Sequence, residues 1–256
     1  MSRQLTIPAA DTRLDGTETP GEGRPLLFLN GGFATQRHWN GVIRRLGGRH
    51  RTVTFDARAR GKSGTSADYS IRGAIDDIGR VIEATGIERP VLVGWSHGAT
   101  IAVRYAAEHP EQVAGLVLVD GAYPISMFDE AGKGAVRKQF RRLGWIMRIM
   151  AALGRSARMT PAESAEIVIE VDSMNGELGP DFEALECPAV YVVGTGPHSG
   201  ASEEEMRTMR ATAAEAVSMN ERVSVFATTP GNHVQILSKN PGTVVAAIED
   251  VLARAS

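Results

Sequence analysis

Six short runs, LLFLN (26–30), TVTFD (52–56), VLVGW (91–95), LVLVD (116–120), AVYVVG (189–194) and VSVFAT (223–228), are almost continuously apolar and β-branched. A strand with one face in water alternates apolar and polar residues. Strands this uniformly apolar need cover on both faces, which is the condition of a parallel sheet held between two layers of helices. Between the runs, IRGAIDDIGRVIEATG places Ile71, Ile75, Ile78 and Ile82 at helical spacing and stops at Gly86. Strand and helix therefore alternate, and the expected class is α/β with a doubly wound, mostly parallel sheet. LTIPA and TRLDGTET, near the start, read as an antiparallel hairpin at one edge.

The alternation fails between about 121 and 184, where helical stretches (about 127–154 and 161–175) follow one another without a strand. An insertion there leaves from the carboxyl end of a strand, the rim at which open α/β sheets bind ligands. The expected organisation is one catalytic domain: core residues 1–120, a helical cap or lid over 121–184, and the rest of the core in 185–256. A chain of 256 residues with 43% hydrophobic content is long enough to bury one such core.

A formal charge of -2 and a pI near 6.3 give no global attraction to nucleic acid or anionic membrane, so the expected partner is a small molecule. The single cysteine, Cys187, cannot form an intramolecular disulfide and fits a reducing compartment. No stretch has the length of a signal peptide core or a membrane span, and the expected location is cytoplasmic. No cofactor is expected. ARGKS lacks the first glycine of a phosphate-binding loop, GTGPHSG is one residue too long for a dinucleotide fingerprint and carries Pro197, and no histidines and carboxylates stand at metal-ligand spacing.

The chemistry centres on VLVGWSHGAT. Gly94, Trp95, Ser96, His97 and Gly98 spell G-x-S-x-G between a strand and the helical stretch ATIAVRYAAEH. In that context the glycines permit a turn too tight for side chains, and the serine is pushed into strained geometry with its hydroxyl at the rim of the sheet. A serine hydroxyl needs a base to become a nucleophile. Of six histidines (His38, His50, His97, His109, His198 and His233), His233 in TTPGNHVQILSKNP follows the last strand at a strand-to-helix turn and returns to the rim of Ser96.

These residues resemble the α/β-hydrolase superfamily. FLNGGF (28–33) looks like the family's oxyanion loop, and FDARARGKSG (55–64) is similar to its D-x-R-G-x-G-x-S stretch. The resemblance implies an eight-stranded sheet, a cap after the sixth strand, Ser96 as nucleophile and His233 as base. It also implies an oxyanion hole from the backbone N–H groups of Gly32 or Phe33 and of His97.

The chain departs from the family twice. Asn30 stands where a histidine usually opens the oxyanion loop, and the G-x-x-D position after the seventh strand, which usually carries the acid, reads Gly194, Thr195, Gly196, Pro197. Three outcomes stay open. Asp120, which ends the sixth strand, is the triad acid or a loop anchor; Glu203, Glu204 or Glu205 supplies the carboxylate, although Ser202 and Glu205 spell a capping box; or there is no acid.

For the substrate pocket the candidates are His38, Trp39, Trp95, Trp145 and Met147, with a flexible apolar underside of the cap. Lys133 to Arg158 carries eight basic residues and no acid, read as a solvated cap surface or as a dock for an anionic, carrier-linked or coenzyme A-linked substrate. The expected function is a serine hydrolase that cleaves an ester, thioester or lactone. The alternative is a non-hydrolytic or ligand-binding protein that uses the same pocket for isomerisation, cyclisation or recognition.

Overall fold

The computed structural model describes residues 2–153, 156–196 and 202–255. The strands are β1 (Arg3–Ala9), β2 (Thr12–Thr19), β3 (Gly23–Leu29), β4 (His50–Phe55), β5 (Val91–Trp95), β6 (Gly115–Val119), β7 (Ala189–Gly194) and β8 (Val223–Thr229). They form one sheet in the order β1-β2-β4-β3-β5-β6-β7-β8. β1 and β2 make the antiparallel hairpin at the edge, β2 also pairs antiparallel with β4, and all pairs from β4 to β8 are parallel.

The helices are α1 (Asn40–Leu46), α2 (Ile71–Thr85), α3 (His97–Glu108), α4 (Glu130–Ala152), α5 (Pro161–Gly176), α6 (Gly179–Ala184), α7 (Glu203–Met219), α8 (Ile236–Lys239) and α9 (Pro241–Arg254). For β5, β6 and β7 the continuous apolar runs have the expected cause, because these strands are buried along their whole length, whereas β8, at the edge of the sheet, leaves Val225 and Phe226 exposed. One core lies under α2 and α3, with Leu27, Leu92, Ile78 and Val103, and a second lies under α1 and α9, with Phe28, Val93, Val117 and Ile248. β3, β5, β6 and β7 contribute alternate residues to the two sides.

Between β6 and β7 the chain leaves the sheet through α4 and α5 and returns through α6. α6 packs on α3 and α7, so it belongs to the helix layer of the core, and the excursion is shorter than the expected 121–184. α5 is anchored at its end. The carboxylate of Asp172 accepts from the Ser126 hydroxyl and from the N–H groups of Met127 and Phe128, and Glu170 accepts from the N–H of Ile71 at the start of α2. α4 lies on α5, where its buried residue Gly144 meets Pro161, and Arg137 donates twice to Glu166 across the pair. Among the described residues no helix is long and apolar enough to cross a membrane.

Candidate active site

The site is assembled by register. Trp95, the last residue of β5, pairs with Val119, the last of β6, so Ser96 and Asp120 emerge side by side at the carboxyl rim. Ser96 has φ 56° and ψ −122°, a conformation few L-residues adopt, and it turns the chain straight into α3. A side chain at Gly98 would run into the carbonyl oxygens of Leu29 and Asn30, and one at Gly94 into the Gly98 carbonyl. The two glycines are required by close approach of β3, β5 and α3.

His233 lies in the turn between β8 and α8. Its Nε2 is 2.9 Å from Ser96 Oγ and its Nδ1 is 2.9 Å from Asp120 Oδ2. Trp95 holds this turn, its indole N–H donating to the His233 carbonyl at 3.0 Å while its ring packs between the imidazoles of His38 and His233.

The Asp120 carboxylate is almost fully buried and held on every side. Oδ1 accepts from the Tyr123 hydroxyl at 2.8 Å and from the Gly194 N–H at 3.1 Å. Burial alone would raise the carboxyl, but His233, Tyr123 and the Gly194 N–H outweigh it and hold Asp120 below the ordinary carboxylate value. Asp120 also has a positive φ of 43°, so the backbone itself is bent to aim this side chain. The end of β7, where the family resemblance implies an acid, supplies a backbone donor, the Gly194 N–H. Thr195 and Gly196 of that turn are bound through their carbonyls by Arg210, and Pro197 and His198 lie outside the described residues.

Glu203, Glu204 and Glu205 are exposed in the first turn of α7, where Glu205 closes the capping box with Ser202. They serve the helix start and are not at His233.

The cleft over Ser96 has a volume of about 410 Å³ and is walled by Gly32, Phe33, His38, Trp95, His97 and His233, with Ile167, Val168 and Val171 of α5 and Val234 opposite. Among the described residues the N–H groups of Gly32 and Phe33 have no protein acceptor, and the His97 N–H opens α3, where a helix has no internal acceptor to offer. All three donors belong to residues on the cleft wall. The His97 imidazole is buried with Nε2 unpartnered; burial, and then the charge of Arg60, push it down to about 3, so it is neutral.

Three expected pocket residues lie elsewhere. Trp39 is fully buried against Phe28 and donates its N–H to Asn30 at 2.9 Å, so it is a core residue behind the loop at 30–33. Asn30, which replaces the histidine, uses its own amide to donate to the Phe55 carbonyl and thereby joins the ends of β3 and β4. Trp145 is exposed on α4, and Met147 is half-buried there without reaching the cleft. α5 walls the cleft with Ile167, Val168 and Val171, while α4 reaches its edge through Phe140, which packs on the Phe33 ring. Of the glycines of α4, Gly144 is the one pressed on Pro161, where a side chain would collide with the proline ring, so the Gly144 face is the one turned to α5. Of the eight basic residues counted in this segment, Arg155 lies outside the described residues.

A family profile for the alpha/beta hydrolase fold matches residues 24–166, more than half of the chain. The chain belongs to the alpha/beta hydrolase fold family. It is 33% identical over 122 residues to a putative non-heme haloperoxidase of Mycobacterium phage D29, a match covering 46% of this chain and 43% of that protein. It is 31% identical over 105 residues to a putative carbamate hydrolase of Azorhizobium caulinodans, covering 41% and 40%. The matched stretch thus spans less than half the length of either curated relative. The solved structure of a thermophilic esterase from Thermogutta terrifontis superposes with a TM-score of 0.75 at 20% identity, covering 99% of both chains, which establishes the shared fold.

Proposed function

We propose that this member of the alpha/beta hydrolase family is a serine hydrolase that cleaves a small ester, thioester or lactone through an acyl-enzyme. The observation that carries the reading is the continuous relay from Ser96 Oγ through His233 to Asp120, with both links at 2.9 Å.

In this mechanism His233 Nε2 takes the Ser96 proton as Oγ bonds to the substrate carbonyl carbon. Negative charge collects on the carbonyl oxygen, beside N–H groups of Gly32, Phe33 and His97 that need no reorganisation to receive it. The tetrahedral species collapses, the bond to the leaving oxygen or sulfur breaks, and the leaving group takes the proton from Nε2. Water then repeats the sequence. His233 removes its proton as it attacks the acyl carbon, and the proton returns to Ser96 as the acid departs. Asp120 accepts the Nδ1–H throughout, which fixes the tautomer and stabilises the imidazolium.

The reading as a passive binding pocket rested on the vacant acid position after β7. A buried carboxylate at hydrogen-bond distance from His233 removes that support. With 4-nitrophenyl acetate and butyrate as substrates, Ser96→Ala should abolish turnover while leaving the urea midpoint near the wild-type value. Turnover that survives in Ser96→Ala defeats the proposal.

A further inference from the structure

Arg60 is buried, yet among the described residues no carboxylate pairs with it. Nε and Nη2 donate to the Gly32 carbonyl at 2.9 and 2.6 Å, and Nη1 donates to the Arg58 carbonyl at 2.7 Å. No ion pair of Arg60 occurs among the described residues. Arg58, two positions earlier and equally buried, shows the contrast: Asp77 grips its Nε and Nη2, and Asp68 its Nη1. A guanidinium has five N–H donors, so one N–H on each Nη of Arg60 is left without an acceptor among the described residues. Carbonyl dipoles soften the cost of burying a cation, but an anion offsets it far better.

Arg60 lies in the wall of a second cavity of about 240 Å³, with Phe33, Thr35, His38, Gly61 and Ala157. Phe33 and His38 also line the cleft over Ser96, so the two spaces adjoin at these side chains. The Phe33 ring stands 5.9 Å from Cζ of Arg60, and the carbonyl that Arg60 grips belongs to Gly32, whose Cα faces His97 beside the nucleophile. Arg158 donates to the carbonyls of Gly61 and Ser63 on the neighbouring turn, a second cation at this end of the site. The main cleft, by contrast, is apolar where α5 covers it.

We infer that the side cavity at Arg60 receives a free carboxylate carried by the substrate, so that the preferred substrates are short esters with an anionic end. The inference rests on the hydrolase reading for its substrate, but not for the binding site itself. The planar Nη edge suits a carboxylate, which accepts from two nitrogens at once. The apolar cleft then holds the chain between the anionic end and the scissile carbonyl. This gives Arg60 two tasks, holding the Gly32 peptide and binding substrate, and the test must separate them.

The comparison uses mono-4-nitrophenyl glutarate and uncharged 4-nitrophenyl pentanoate. Hydrogen bonds to charged groups predict a wild-type kcat/KM about 10- to 100-fold higher for the anionic ester. In Arg60→Met both rates fall if the loop is disturbed, but the preference itself should vanish, and Arg60→Lys should restore part of it. Equal rates in the wild type, or an unchanged ratio in Arg60→Met, overturn the inference. A second arm does not depend on turnover: calorimetry of glutarate with the Ser96→Ala protein should show binding that Arg60→Met, added to it, removes. If the wild type hydrolyses neither ester, the hydrolase reading falls and the glutarate arm alone decides the anion site. Absence of glutarate binding in that case overturns it.

Discussion

His97 shows how a residue named for its backbone carries a second consequence in its side chain. Its N–H opens α3 over the cleft, while its imidazole is buried with Nε2 unpartnered and its pKa is pushed down to about 3 by burial and by Arg60. Below the ordinary value near 6.5 the unfolded chain takes up a proton that the folded chain refuses, so stability is lost as pH falls through that window towards about 3. Between pH 6.5 and 5 the loss should be about 2 kcal/mol from this group alone. Urea unfolding at the two pH values checks it: His97→Gln should lose less stability on acidification than the wild type. Equal losses would mean that the imidazole is not held neutral. The adjacent Ser96 was legible because G-x-S-x-G stands between a strand and a helix. Arg60 gave no such signal, since nothing in ARARGKSG distinguishes an arginine paired with acids (Arg58) from one left without them.

At the scale of elements, what was readable followed from periodicity and what was not followed from contacts between elements. The continuous apolar runs became β3 to β8, and the isoleucine spacing became α2. α4 and α5 were legible as helices, but their order over the site was not. Trp145 looked like a pocket residue and is exposed, whereas Ile167, Val168 and Val171 of α5 wall the cleft. The β5–α3 elbow is the element the site depends on most. In Gly98→Ala the new methyl meets backbone carbonyls of Leu29 and Asn30, which cannot rotate away as a side chain would. Overpacking of this kind should cost about 3 kcal/mol or more and should reduce activity with it. An unaltered urea midpoint would show that β3 and α3 have more freedom than their spacing indicates.

At the scale of the molecule, the parallel sheet delivers the carboxyl ends of β3, β5, β6, β7 and β8 to one rim, and each contributes a part. β3 leads to the glycine-containing loop at 30–33, β5 to Ser96, β6 to Asp120, β7 to the N–H that Asp120 accepts, and β8 to His233. Asp120 as acid was only one of three readings of the sequence, because a carboxylate at a strand end also anchors loops. Here the same carboxylate accepts from Gly194 and Tyr123 as well as facing His233. The central claim is that this relay activates Ser96. Intact-mass spectrometry of the protein treated with a fluorophosphonate, with the modified residue located by peptide mapping, tests it directly. The wild type should take up one phosphonyl group on Ser96, and Asp120→Asn should react roughly 10³- to 10⁴-fold more slowly by loss of the correct imidazole tautomer. No adduct on Ser96, or an Asp120→Asn protein that reacts at the wild-type rate, would contradict the account.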